Sequence, residues 1–190
     1  MQSLTIETPT AMDTRLAGEV LGRNARGGQV LALHGDLGAG KTTFVQGLAA
    51  GMGVQARVTS PTFVLVNDYD AGHNLHLIHV DTYRLGDSTG DALDDAATFG
   101  LDDFLDDPDA VVAIEWAERV APLLPADRLD VSLSAVEGAP DSRIIRFRAG
   151  GPQSEALLAA LAEHIAATKK PAPTGSAPAC FLTPTQIWII

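Results

Sequence analysis

The chain has a single cysteine, Cys180, so no intrachain disulfide can form and a thiolate metal site has no partner ligands. Positive charge is scarce as well: 13 lysines and arginines face 24 aspartates and glutamates, for a formal net charge of −11. That balance opposes nonspecific attraction to nucleic acid or to an anionic lipid surface. No apolar run reaches the length of a membrane-spanning helix, and the opening "MQSLTIETPT" lacks the basic-then-apolar pattern of a secretory signal. A cytoplasmic protein that does not touch membrane is the expectation. No repeat of useful period is present. What remains is 190 residues, 46% of them hydrophobic, enough for one substantial core and too few for two ordinary domains sharing a cleft.

Two local scarcities carry more information. Between Arg84 and Arg119 there is no basic residue, while eleven acidic ones, from Asp87 through Asp91, Asp94, Asp95, Asp102, Asp103, Asp106, Asp107 and Asp109 to Glu115 and Glu118, fall in that window. This reads as a solvated acidic face or as a docking surface for a basic partner, and its spacing does not fit an EF-hand calcium loop. Lys41 is the only lysine before Lys169. In a chain that otherwise uses arginine, one compact ammonium suggests a site that needs a point charge.

Along the chain, Thr8 and Pro9 read as a helix cap and first-turn proline, with Met12, Leu16, Val20 and Leu21 at helical spacing behind them. "QVLALHG" followed by "KTTFVQGLAAGMG" reads as strand, loop and helix. Two apolar runs in "PTFVLVNDYDAGHNLHLIHVDTYR", separated by Asp70, Ala71 and Gly72, suit a hairpin. Leu101, Phe104 and Leu105 mark a short helix, and "AVVAIEWA" a buried strand. "RLDVSLSAV" and "RIIRFRA" read as strands joined by "EGAPDS", ahead of a helix over 153–167. From Lys169 the composition turns to proline, alanine and serine, a low-complexity stretch expected to be disordered, ending in the apolar "FLTPTQIWII".

The stretch "LHGDLGAGKTTF" holds the chemistry. Gly35, Gly40, Lys41 and Thr42 fit G-x-x-x-x-G-K-[ST], with Asp36, Leu37, Gly38 and Ala39 inside the loop. Glycines let backbone N–H groups curl around phosphate, and the following helix N-terminus adds a field that favours negative charge. Lys41 would reach the outer phosphates and the Thr42 hydroxyl would ligate magnesium. Asp81 and Glu115 each end an apolar run. If those strands lie parallel to the one before the loop, both carboxylates meet it at one sheet edge. His76 and His79, three apart, face opposite sides of a strand and cannot share a metal, whereas His79 shares a face with Asp81 and could orient it. His34 and His73 read as strand-end and loop residues. No N-K-x-D pattern selects guanine, which favours ATP; a small-molecule kinase and a nucleotide-gated binding module remain as alternatives.

"GDLGAGKTT", "SPTF", "HVDTYR" and "IEWAERV", in that order and over roughly residues 5 to 150, resemble the TsaE family, also called YjeE. The resemblance implies a P-loop α/β ATPase that binds ATP or ADP with Mg2+, hydrolyses slowly alone, and works with the TsaB and TsaD proteins in threonylcarbamoylation of tRNA adenosine beside the anticodon. It would meet tRNA only through that complex, in keeping with its acidity. By motif, Lys41 holds the phosphates with Thr43 in support, Thr42 and Glu115 sit at the magnesium, and Asp81 is the catalytic carboxylate. Thr62 belongs to a nucleotide-sensing loop, and Trp116 lies beside Glu115. The family pattern ends soon after the helix at 153–167, so the tail is additional. The expected fold is α/β: a P-loop NTPase-like single domain over 1–168, with a mixed, mostly parallel sheet flanked by helices, then a disordered tail over 169–190.

Overall fold

The computed structural model describes residues 2–86, 88–168 and 188–189. Its strands, β1 (Ser3–Thr8), β2 (Gln29–His34), β3 (Val66–Asp70), β4 (His76–Asp81), β5 (Ala110–Glu115), β6 (Leu129–Val136), β7 (Ala139–Ala149) and β8 (Trp188–Ile189), form one sheet in the order β3-β4-β5-β2-β6-β7-β1-β8. The helices are α1 (Ala11–Asn24), α2 (Lys41–Met52), α3 (Thr89–Thr98), α4 (Leu101–Leu105) and α5 (Pro152–Thr168), with a 3-10 helix at Ala117–Leu123. The sheet is mixed, as expected. Its parallel pairings, β4 with β5, β5 with β2 and β2 with β6, occupy the centre, and the four flanking pairings are antiparallel, so the parallel part is narrower than the sequence suggests.

Burial follows the strand period of two. Leu31, Leu33, Leu77, Val111 and Ala113 pack with α1, α2 and α5 on one face, and Val30, Ala32, Ile78, Val112 and Ile114 pack with α3, α4 and the 3-10 helix on the other. Strands buried on both faces read as continuous apolar runs, which is why β2, β4 and β5 were legible.

The opening differs from the sequence reading. Residues 3–8 form a strand, and the helix cap is Thr10, which makes a capping box with Asp13, rather than Thr8. Met12, expected on the apolar face, is 65% exposed. Val20 and Leu21 are buried as expected, and where α2 crosses α1 at backbone contact the α1 positions are the small residues Gly18 and Gly22. A Cβ on Gly22 would sit 2.0 Å from the Leu48 carbonyl oxygen, and one on Gly47 would sit 1.9 Å from that of Arg15.

The β3–β4 hairpin forms as expected, although β3 starts only at Val66, leaving Phe63 and Val64 outside the sheet and exposed. The β6–β7 turn is tighter than "EGAPDS": β7 already begins at Ala139. Part of the acidic window is α3, opened by a capping box of Ser88 and Asp91, an element the sequence reading missed. Trp188–Ile189 pair with Glu7 and Ile6 on the outer edge of β1, so these two residues depart from the expected disorder. The rest of the expected tail, with Cys180, lies outside the described residues.

Candidate functional site

Strand β2 delivers the chain into the glycine loop. Gly35 has φ +134°, and a Cβ there would meet the Leu133 carbonyl oxygen at 2.3 Å, so the turn admits only glycine. Gly40, at φ +101°, is the N-cap of α2 and provides no side-chain cap, and no acidic residue lies in the first turn. The leading N–H groups of α2 therefore keep their capacity for an anion. Arg143 of β7 donates to the carbonyls of Ala39 (Nε, 3.0 Å) and Gly38 (Nη2, 3.2 Å) from behind. Holding these carbonyls outward leaves the loop interior to its amides. Nothing local in the sequence marks Arg143, which comes from a strand a hundred residues away.

Lys41 is only 4% exposed. Its ammonium donates to the carbonyls of Gly35 (2.5 Å) and Asp36 (3.0 Å) and lies 3.7 Å from the centre of the Trp116 ring, a cation–π contact. Burial pulls its pKa below the usual lysine value, against the fields of Glu115, Glu118, Asp81 and Asp36. Trp116 takes φ +60°, a costly conformation for a bulky residue, and Thr82 Oγ1 holds the turn by hydrogen-bonding to the carbonyls of Glu115 (3.0 Å) and Trp116 (2.8 Å).

Parallel pairing of β4 with β5 sets Asp81 directly beside Glu115, both almost fully buried. Asp81 accepts from Ser60 Oγ (3.0 Å), from Thr62 Oγ1 and from the Tyr83 amide (3.0 Å). Glu115 Oε1 accepts from Thr42 Oγ1 (2.8 Å) and lies 2.9 Å from His79 Nε2. The expectation that His79 orients Asp81 is therefore corrected. The two share a face of β4, but Asp81 is taken up by the hydroxyls of the 60–62 loop, while Glu115 on the neighbouring strand comes within reach of the imidazole. The structure brings Leu37, Gly38, Ala39, Gly40, Lys41, Thr42, Thr43, Thr62, Asp81, Glu115 and Trp116 around one cleft. Asp36 does not line the cleft; its carbonyl accepts from Lys41 and from the Ala39 amide. Ser60 and Tyr83 also line the cleft and were not singled out from the sequence. Ser60 could have been found, since it opens "SPTF". Among the described residues no group of three His, Cys, Asp or Glu side chains is placed to cage a metal by itself.

His34 is more than a strand end. Its two ring nitrogens lie 3.1 Å from Glu118 Oε2 and 3.3 Å from Asp130 Oδ1, and Asp130 also accepts from Arg128 (2.9 Å) and Arg148 (2.7 Å). Two carboxylate partners require both ring nitrogens to donate, which only the imidazolium can do. The hydrogen bonds it donates to Asp130 and Glu118 raise its pKa to about 9, with burial opposing. Burial of Asp130 acts the other way, yet His34, Arg128 and Arg148 outweigh it and hold that carboxyl well below the usual range. Because the folded pKa of His34 is raised, its stabilisation is complete below about pH 6.5 and is lost as pH rises through about 9. Urea midpoints at pH 7 and pH 10 are expected to fall further in the unaltered chain than in His34→Asn; equal falls would remove His34 from the account.

Fold and site together define a mixed-sheet α/β domain in which a glycine loop, an uncapped helix N-terminus, a buried lysine and two carboxylates share one cleft. The family model described as threonylcarbamoyl adenosine biosynthesis protein TsaE matches residues 8–145. The chain is 36% identical over 164 residues to the tRNA threonylcarbamoyladenosine biosynthesis protein TsaE of Bacillus subtilis, covering 86% of this chain and 97% of that protein. It is 43% identical over 124 residues to the Treponema pallidum protein of the same name, covering 65% and 86% of the two. The crystal structure of Bacillus subtilis YdiB superposes with a TM-score of 0.70 at 33% identity, over 86% of this chain and 96% of that one. The chain belongs to the TsaE family.

Proposed function

We propose that this protein is a magnesium-dependent ATPase that acts in the cytoplasm with TsaB and TsaD in threonylcarbamoylation of tRNA, reaching tRNA only through those partners. The observation that carries the reading is the convergence of Lys41, the open N-terminus of α2 and the Thr42–Glu115 pair in one cleft beside Asp81. The residues fit the ligand. The loop offers positive-φ glycines and free amides to phosphate, and one hydroxyl with one carboxylate is the small protein share that magnesium takes when phosphates and water complete its shell. Bound with nucleotide, magnesium supplies charge neutralisation across the terminal phosphates.

The chain's own groups divide the remaining work. The α2 amides and Lys41 hold the phosphates, with Thr43 in the same turn. Thr42 keeps its hydroxyl proton on Glu115 and so turns a lone pair outward. Asp81, oriented by Ser60, Thr62 and the Tyr83 amide, is the carboxylate that aligns the attacking water and takes its proton. Leu37 and Phe63, 81% and 82% exposed beside the cleft, are apolar surface that suits a protein partner at its mouth.

Asp81→Asn keeps the side-chain shape and an acceptor for the Tyr83 amide, turns the atom facing Ser60 and Thr62 into a donor to their hydroxyl oxygens, and removes the base. It is expected to lower turnover by roughly 10²- to 10⁴-fold while ADP still binds; turnover above a tenth of the original would take the catalytic role from Asp81. Thr42→Val is expected to weaken Mg-nucleotide binding far more than it shifts the melting temperature. Equal Mg-ADP affinity by calorimetry would contradict the assignment.

A further inference from the structure

Glu115 uses one carboxylate oxygen for both of its side-chain hydrogen bonds. Oε1 meets Thr42 Oγ1 at 2.8 Å and His79 Nε2 at 2.9 Å, whereas Oε2 has no hydrogen-bond partner among the described residues. His79 is fully buried, and its other nitrogen, Nδ1, is enclosed without a partner. A carboxylate can only accept, so the proton between these groups belongs to Nε2. Nδ1 has no acceptor to receive a donor, so the geometry makes Nε2–H the group that His79 offers to Glu115.

This arrangement solves a problem the cleft creates. Glu115 is the carboxylate that acts most strongly on the Lys41 ammonium. Opposite charges attract, so an unfastened Glu115 feels a pull toward that cation that a fixed one resists. We propose that His79 is a positioning residue: its Nε2–H, together with the Thr42 hydroxyl, fastens Glu115 Oε1 and reserves Oε2 for the divalent cation of the cleft. Outer partners that orient a metal-binding carboxylate commonly change metal affinity by about 10- to 100-fold when removed. The inference rests on the magnesium-nucleotide reading above.

Two measurements on the full chain test it. Long-range ¹H–¹⁵N NMR without nucleotide is expected to show His79 as a single neutral Nε2–H tautomer, becoming a mixture in Glu115→Ala. An Nδ1–H tautomer would overturn the tie. Second, ADP affinity is measured with and without Mg2+. His79→Leu is expected to cut the Mg2+ enhancement about tenfold or more and leave Mg2+-free affinity unchanged. His79→Gln, whose amide nitrogen replaces Nε2 as donor, is expected to restore most of the enhancement. Full enhancement in His79→Leu, or no recovery in His79→Gln, would overturn the proposal. If the leucine variant fails to fold, the glutamine variant and the tautomer still decide. If Mg2+ has no effect on the unaltered chain, the magnesium-nucleotide reading fails, and the tautomer alone judges whether His79 fastens Glu115.

Discussion

Lys41→Ala is expected to raise the dissociation constant for ATP and ADP by at least 10²-fold, because on the proposed reading each charge-assisted hydrogen bond to phosphate would contribute about 1.5–3 kcal/mol and an ammonium can donate more than one. Stability is expected to move little. The ammonium is already held off water, against the carbonyls of Gly35 and Asp36 and the Trp116 face, so its loss also removes a desolvation penalty. Lys41→Met, which keeps the buried stem, separates packing from charge. It should bind nucleotide as poorly as the alanine variant while melting closer to the unaltered chain. Binding within fivefold of the original in Lys41→Met would show that the charge is not what holds the phosphates.

The second large effect lies away from the cleft. Gly47→Val places a branched side chain where even a Cβ would come within 1.9 Å of the Arg15 carbonyl oxygen, at the crossing of α1 and α2. Both partners are backbone, so neither can turn aside, and the helices must separate. The expected cost is at least about 3 kcal/mol, or a fall in melting temperature on the order of 10 °C for a chain of this size. Gly90→Ala is the matched control: it is a helical glycine whose nearest neighbour to a new Cβ is Ser88 Oγ at 3.8 Å. There the higher helix propensity of alanine is expected to stabilise by about 0.5–1 kcal/mol. A melting temperature for Gly47→Val within about 2 °C of the unaltered chain would contradict the close backbone crossing of α1 and α2. Because α2 starts at the glycine turn proposed to hold phosphate, the same substitution should weaken nucleotide binding as well.

Features written in local sequence were legible, and those written across strands were not. The glycine loop, β2, β4 and β5 were plain because motif and doubly buried apolar runs are continuous in sequence. Asp81 and Glu115 could be paired in advance because each ends such a run, and parallel register then set them side by side. Of the residues read at helical spacing on α1, Val20 and Leu21 are in the core and Leu16 packs against it, whereas Met12 is exposed, and the glycines at the crossing with α2 were not foreseen. β1 alternates, but over only two apolar positions, Leu4 and Ile6, too short a signal to stand out ahead of the helix that follows, and α3 hid beneath its aspartates. Arg143, and the choice of His79 for Glu115 over Asp81, depend on tertiary contacts that no single segment records.

The central claim is that this cleft turns over nucleotide in the service of a larger assembly. Its most direct test is the rate of Mg2+-dependent ATP hydrolysis by the purified chain, alone and with TsaB and TsaD, beside Asp81→Asn. Slow turnover alone, a rise with the two partners, and loss of that rise in Asp81→Asn is the expected result. A rate that the partners leave unchanged, or one that Asp81→Asn retains, would contradict the account.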